Sequence, residues 1–401
     1  MQIFVNTNYD FVKYRFHAIV FSLIWVLIGV GFYMKHGINW GIDFSGGANI
    51  ILKFQGEPPL PRLRTEFPNA TIQQYDKPEA HAVLIRLPEL KKETDYAGQV
   101  VAKLDRDLNG NSGKFDLNFQ GRNALTDLLT QADPDNKGTR PDARQYYAAI
   151  AQNIVAKRSE LGVFTNMQQV VSAPGVTTGV ARIINDKCFL GAFNVYNQET
   201  VGPQVGAELQ QKAIWAVILS TLAMGVYLWL RFDLMFGVAA VVCIIHDVCV
   251  SIAFLGMING EVSLDIVAAL LLIVGYSIND TVVTYDRVRE NRRKMKTRAT
   301  LSEQLNLAMN QTLSRTILTS GSVVIVLIAL ILFGGKVIHE FAWVLLVGVI
   351  AGTYSTVTIV PAVAIAWNNM TGRKHDIAGP AARPKNIEEA ARPEQRKRKA
   401  V

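Results

Sequence analysis

The sequence is short of charge: 18% of its residues are Asp, Glu, Lys or Arg, where a soluble chain carries about 25%. With half of its 401 residues hydrophobic, it cannot be disordered or collagen-like as a whole. Cysteine is scarce too. Three cysteines make no paired framework, and no CxxC or His/Cys cluster offers a zinc or redox site. Cys243 and Cys249 lie in an apolar run on different helix faces, Cys188 is alone in the more polar part, and all three read as ordinary buried thiols. Catalytic signatures are missing as well. No Gly-Lys pair is followed by Ser or Thr, so there is no Walker A loop. His339-Glu340 begins a zincin motif, but Trp343 stands where the second histidine belongs, and no GxSxG elbow occurs. The chain shows no means of spending ATP and no hydrolytic nucleophile, and no cofactor or resident metal is expected.

What the chain does have is long apolar runs. Residues 16–34, 213–230, 234–258, 263–284, 316–333 and 341–367 each approach the ~20 residues that cross ~30 Å of hydrocarbon. The first is too long for a signal-peptide core and lacks a small-residue cleavage site after Tyr33, so it reads as a retained anchor. The net charge of +8 is placed unevenly. Between Lys35 and Gln211 there are 19 Lys and Arg against 19 Asp and Glu; the rest of the chain holds 22 against 14. Positive charge beside apolar runs is a topology signal, and a nucleic-acid partner is excluded. Lys13 and Arg15, the cluster from Arg287 to Arg298, and nine Lys and Arg after Met370 put both termini and the 286–314 connection on the cytoplasmic side. Four parts follow: residues 1–34 (N-terminus and first span), 35–211 (outward α+β domain), 212–370 (spans two to six) and 371–401 (basic, disordered tail).

Within the outward part, residues 48–54, 71–75, 81–87 and 192–201 read as strands, and 59–67 and 91–108 as helices. The order β-α-β-β-α-β predicts a ferredoxin-like domain, so the fold class is a polytopic α-helical membrane protein with an extracytoplasmic α+β domain between its first two helices. Residues 109–190 form an insert with a helix over 142–161. At its start Asp105, Asp107, Asn109 and Asp116 match the spacing of an EF-hand calcium loop, except that Asp replaces the final Glu and Ser112 breaks the apolar position; an Asx/Gly turn is the favoured reading.

Ionisable residues inside the spans stand out, because a charge at mid-bilayer costs roughly 2.5–3.5 kcal/mol on insertion scales. These are His246 and Asp247 in the third span, Asp280 in the fourth and Arg315 at the opening of the fifth. Asp280 lies seven residues before Arg287, so it and Arg315 share the inner half of the bilayer and can meet. A carboxylate that gains and loses an arginine neighbour can load and release a proton. Tyr276, Ser277, Asn279 and Thr284 surround Asp280 in sequence, Gly275 lets a helix approach, and Gly348 and Gly352 form a small-xxx-small pair in the last span.

Six motifs in order carry a family resemblance: GIDFSGG at 41–47, TVGPQVGAEL at 200–209, His246-Asp247, GYSINDTVVTYDRVREN at 275–291, QTLSRTILTS at 311–320 and GTYST at 352–356. Together they resemble the SecF branch of the SecD/SecF family of bacterial protein-export subunits, within the resistance-nodulation-division superfamily. The resemblance implies a non-enzymatic subunit that works with a SecD-like chain and the SecYEG translocon, with SecA, drawing unfolded secretory polypeptide outward at the expense of the proton-motive force. It implies that Asp280 is the proton-linked carboxylate and Arg315 its partner; His246 and Asp247 match a family feature whose role is either structural or accessory. Gly41, Asp43, Gly46, Gly47, Gly202, Pro203 and Gly206 are the expected hinge between spans and outer domain, glycine allowing backbone angles that other residues resist. The insert at 109–190 is longer than the family leads one to expect. A half-sized exporter and an assembly scaffold are the alternatives.

Overall fold

The computed structural model describes residues 7–76, 78–88, 96–110, 113–138, 142–294 and 299–371. After α1 (Arg15–His36) come α2 (Ile42–Ser45), β1 (Gly47–Phe54), α3 (Leu60–Glu66), β2 (Thr71–Tyr75), β3 (Ala82–Leu87) and α4 (Tyr96–Asn109). An excursion follows: β4 (Phe115–Asp116), α5 (Arg122–Ala132), α6 (Ala143–Leu161), α7 (Met167–Val171), α8 (Thr178–Lys187) and β5 (Cys188–Phe189). Then β6 (Phe193–Val201) returns, and α9 (Pro203–Arg231), α10 (Leu234–Met257), α11 (Leu264–Lys294), α12 (Leu301–Phe333) and α13 (Lys336–Thr371) complete the chain. The chain divides into two compact units, Gly41–Leu209 and the residues on either side of it.

In the first unit the alternating strands pair wholly antiparallel in the order β2-β3-β1-β6, which is the ferredoxin-like arrangement the element order predicts. Ile50 of β1 lies opposite Ile85 of β3, and one face of the sheet closes over the apolar sides of α3 and α4 through Leu63, Phe67, Val100 and Leu104. The excursion has its own core, in which Leu125 and Leu129 of α5 meet Tyr147, Ile150 and Ile154 of α6 and Val180 and Ile184 of α8.

The two ends of that excursion are tied together by one buried carboxylate. Asp116 accepts hydrogen bonds from the Gly191 and Asn118 amides, each at 2.8 Å, and from Asn109 Nδ2 at 3.0 Å. Asn118 in turn donates to the carbonyls of Phe164 and Gly191, and Arg158 donates to those of Leu117 and Gln120. The calcium spacing, already the less favoured reading, forms no EF-hand loop here. Asp105, Asp107 and Asn109 are helical to the end of α4 instead of forming a loop, Asn109 spends its amide on Asp105 and Asp116, and among the described residues no group of three acidic, His or Cys side chains gathers to hold a metal.

Among the described residues six helices are long and apolar enough to cross a membrane, and the chain is a multi-pass membrane protein. They outrun the apolar segments read from sequence. The 286–314 connection is largely helix: α11 runs on to Lys294, and α12 starts at Leu301 behind a Thr300–Glu303 capping box. Side chains staple these extensions, with Arg287 Nε and Asn291 Nδ2 both donating to Gln311 and Arg292 Nε to Gln304. A second correction concerns the thiols: Cys243 and Cys188 are buried, but Cys249 lies on the exposed side of α10. The basic tail after residue 371 and the basic residues Lys296 and Arg298 lie outside the described residues.

Burial raises the Asp116 carboxyl above the ordinary carboxylate range, against the pull of the Gly191 and Asn118 amides. A group whose proton is held more tightly in the folded state adds stability that is complete below its unfolded value and is lost as pH rises through the folded one. Asp116→Ala leaves two buried amides and Asn109 without their acceptor, and is expected to cost about 2–3 kcal/mol locally. Amide hydrogen exchange on the full-length protein checks it: Gly191 and its neighbours should lose protection while β1 and β3 keep theirs.

Candidate functional site

The polar residues of the membrane unit converge where α10, α11 and α13 pack. The three helices approach closely because α13 presents Gly348 and Gly352 one turn apart: a β-carbon on Gly352 would lie 3.1 Å from Ser277 Cβ, and one on Gly348 would overlap Ile273. At this crossing Asp247 of α10 is 0% exposed. Its Oδ2 accepts from Ser277 Oγ of α11 at 2.5 Å and Ser355 Oγ of α13 at 3.0 Å, with the Cys243 thiol 3.8 Å away. Its Oδ1 lies 2.8 Å from His246 Nδ1. The spacing of the donors is helical: Cys243 is one turn before Asp247, and Ser355 lies three residues, just under a turn, after Gly352. Thr281 and Thr356 exchange a hydroxyl bond at 3.2 Å one turn further on.

Asp280 lies three residues beyond Ser277 and is 4% exposed. Its electrostatic neighbours are the Ser320 hydroxyl and the Arg315 guanidinium, both on α12. Ser320 is in turn held by Thr353 Oγ1 of α13 at 2.7 Å and by the Tyr276 hydroxyl at 3.3 Å. Asp280 and Arg315 are each fourteen residues from the end of their helix that faces the 295–300 connection, about 21 Å along each axis, so they stand at one level. Arg315 therefore does not open its helix, as the apolar run had it. Nor is it buried: its side chain stands on the exposed face of α12, and no ion pair within 4.0 Å joins it to Asp280.

Of the polar residues around Asp280, Ser277 and Thr284 are buried, Tyr276 is half-buried on Ser320, and Asn279 is exposed. Gly275 shares that exposed face, with nothing near its α-carbon. Sequence reasoning gave Cys243 only as a buried thiol, assigned nothing to Thr281 or Ser320, and met Thr353 and Ser355 only within the GTYST motif at 352–356. A signal existed: hydroxyls one or two turns apart on three apolar helices, which only a shared polar partner makes inexpensive.

The seven expected hinge residues lie together in the other unit. Gly41 precedes the α2 turn, which contains Asp43; Gly46 and Gly47 have φ of 73° and 124°, which only glycine adopts freely. Pro203 begins α9 after Gly202, and Gly206 lets α9 rest on that turn, since a β-carbon there would lie 3.0 Å from the Phe44 carbonyl.

A family model for the C-terminal part of SecD/SecF protein export membrane proteins matches residues 184–370, and one for the SecD/SecF GG motif matches 34–57. A SecF protein translocase subunit from Koribacter versatilis is 35% identical over 96% of this chain and 98% of its own. Another from Calditerrivibrio nitroreducens is 31% identical, over 88% and 92% respectively. Among solved structures, SecDF from Thermus, a translocon-associated membrane protein, aligns with 91% of this chain at 25% identity and a TM-score of 0.61. The chain spans 39% of the length of that SecDF chain.

Removing the hydroxyl closest to the buried acid should loosen the three-helix crossing. Ser277→Ala is expected to lower stability by about 1.5–3 kcal/mol, the range for a hydrogen bond to a charged group. Gly352→Val is expected to cost as much or more by forcing α13 away from α11. Thermal unfolding in detergent, compared with Asn279→Ala on the exposed face as the control, checks both.

Proposed function

This chain belongs to the SecD/SecF family, and on that footing we propose that it is the SecF-like, proton-coupled half of a protein-export device whose proton site is Asp280 with Arg315. Its relatives are named as translocase subunits, so its work is transport and not catalysis. The observation that carries the reading is the placement of Asp280: a nearly buried acid in mid-helix, level with a guanidinium on the next helix but not locked to it. A pair held apart in this way can close when the acid is ionised and open when it is protonated, so that one proton changes the α11–α12 contact. A proton crossing the membrane potential brings about 2.3 kcal/mol per 100 mV, enough to shift a two-state helix arrangement.

In this reading the partner is a SecD-like subunit. The exposed stripe of Gly275, Asn279 and Arg315 on α11 and α12 is where a second helical bundle would pack, bringing a cover to Arg315. The pair would act beside a SecYEG channel, with SecA, on unfolded secretory polypeptide, in a bacterial inner membrane with both termini cytoplasmic. Residues 35–211, insert 109–190 included, would form the outward domain, 212–370 the helices and 371–401 the cytoplasmic tail. The glycine turn at 46–47 and the start of α9 at Gly202, Pro203 and Gly206 would be the hinge that passes helix movement outward.

Asp280→Asn is expected to cut proton-dependent stimulation of secretion by roughly tenfold or more, given that drive per proton. Secretion into inverted membrane vesicles with and without an imposed potential measures it, and co-purification of the SecD-like subunit shows whether assembly is intact. Full stimulation in the variant would end the proposal; loss of both activity and assembly would favour the scaffold reading.

A further inference from the structure

We infer that His246 and Asp247 form a second proton-carrying site in the bundle, in which His246 Nε2 takes the proton and Asp247 is its fixed counter-charge. The inference deepens the proton-coupled reading, yet proton uptake at His246 is observable whether or not Asp280 works.

The argument starts from Asp247, whose Oδ2 is already served by Ser277 and Ser355. Beyond those two hydroxyls, no Lys or Arg among the described residues pairs with it. A lone anion in this apolar crossing is costly, and the nearest group able to offset it is the imidazole at Oδ1. An ionised carboxylate only accepts, so Nδ1 carries the hydrogen of that 2.8 Å contact. The neutral ring is thereby fixed in the tautomer that leaves a lone pair on Nε2. Nε2 is buried and has no hydrogen-bond partner, while the side chain as a whole keeps 13% of its surface open.

The imidazole lies 6.4 Å from the Tyr354 ring of α13, on the seam that α13 shares with α1 through the Tyr354 hydroxyl and the Ala18 carbonyl. The other titratable groups facing the pair are few. Tyr354 comes from α13, Cys243 from α10 itself and Asp280 from α11 beyond Ser277, while α1 has none between His17 and Tyr33. Loading is simple to balance. A hydronium ion gives its proton to the Nε2 lone pair, one O–H bond breaking as one N–H bond forms and a water molecule leaving, and the pair passes from one net negative charge to none. Ser277 then sits on a neutralised pair, three residues from Asp280 on the same helix.

The test is nitrogen-15 NMR of histidine-labelled full-length protein in lipid bilayers, with the His246 signals assigned by comparison with His246→Gln. Nδ1 should carry hydrogen throughout. Nε2 should gain one reversibly on acidification from pH 8 to 5, in wild-type and Asp280→Asn protein alike. Asp247→Asn should shift that uptake by roughly tenfold or more in hydrogen-ion concentration, a unit or more in pH. Ser355→Ala, which keeps the acid, stands in if Asp247→Asn does not fold, and should shift uptake in a smaller but measurable degree. An Nε2 that stays bare down to pH 5, a hydrogen on Nε2 with Nδ1 bare at neutral pH, or uptake that vanishes with Asp280 would each overturn the proposal.

Discussion

The membrane unit is organised around a carboxylate that has nowhere to go. Asp247 is sealed between three helices, and each supplies part of its solvation: His246 and Cys243 from α10, Ser277 from α11, Ser355 from α13. In hydrocarbon an acid of this kind is tolerated only when such donors are in place, so the register of the three helices is set by the need to deliver them together. The glycines of α13 follow from the same constraint, since Ser277 and Ser355 reach one oxygen only if the two backbones come close. Apolar packing alone would allow α11 and α13 to slide; a shared polar centre does not.

That centre explains the division of labour among the helices. α10, α11 and α13 are half-buried or more along their apolar windows, whereas α1, α9 and α12 are largely open. Asp280 lies at the boundary, sealed on the α13 side by the Ser320–Thr353 contact and facing the guanidinium that stands in the open. A rigid core on one side and an uncovered charge on the other is the geometry of a site that responds to what is placed against it.

The fold was legible in the sequence to a large extent because both of its signals are strong. Apolar runs of near-bilayer length mark the helices, and short apolar, β-branched stretches around Ile50, Ile72 and Ile85 mark the sheet. The helix ends were not legible, because a charged, amphipathic continuation such as Arg287–Lys294 looks like a loop to a hydropathy reading, while buried Val288 and the bonds to Gln304 and Gln311 tie it down. The calcium spacing at 105–116, the less favoured reading there, forms no loop because α4 runs to Asn109 and a long-range bond from Gly191 claims Asp116. At the site, charge in an apolar run pointed to Asp280 and Asp247 alike, but which of them is wrapped in hydroxyls depends on Ser277 and Ser355, residues too common to stand out singly.

The excursion between α4 and β6 leaves and re-enters by one door. Phe115–Asp116 and Cys188–Phe189 lie side by side as a parallel bridge, and Asp116 clasps the amide of Gly191 just before β6 resumes its place beside β1. Everything between is a lobe with its own apolar interior. Such a lobe can lengthen, shorten or be exchanged without moving the strands it interrupts, which makes it the part of the molecule freest to diverge while the sheet and the helices stay under constraint.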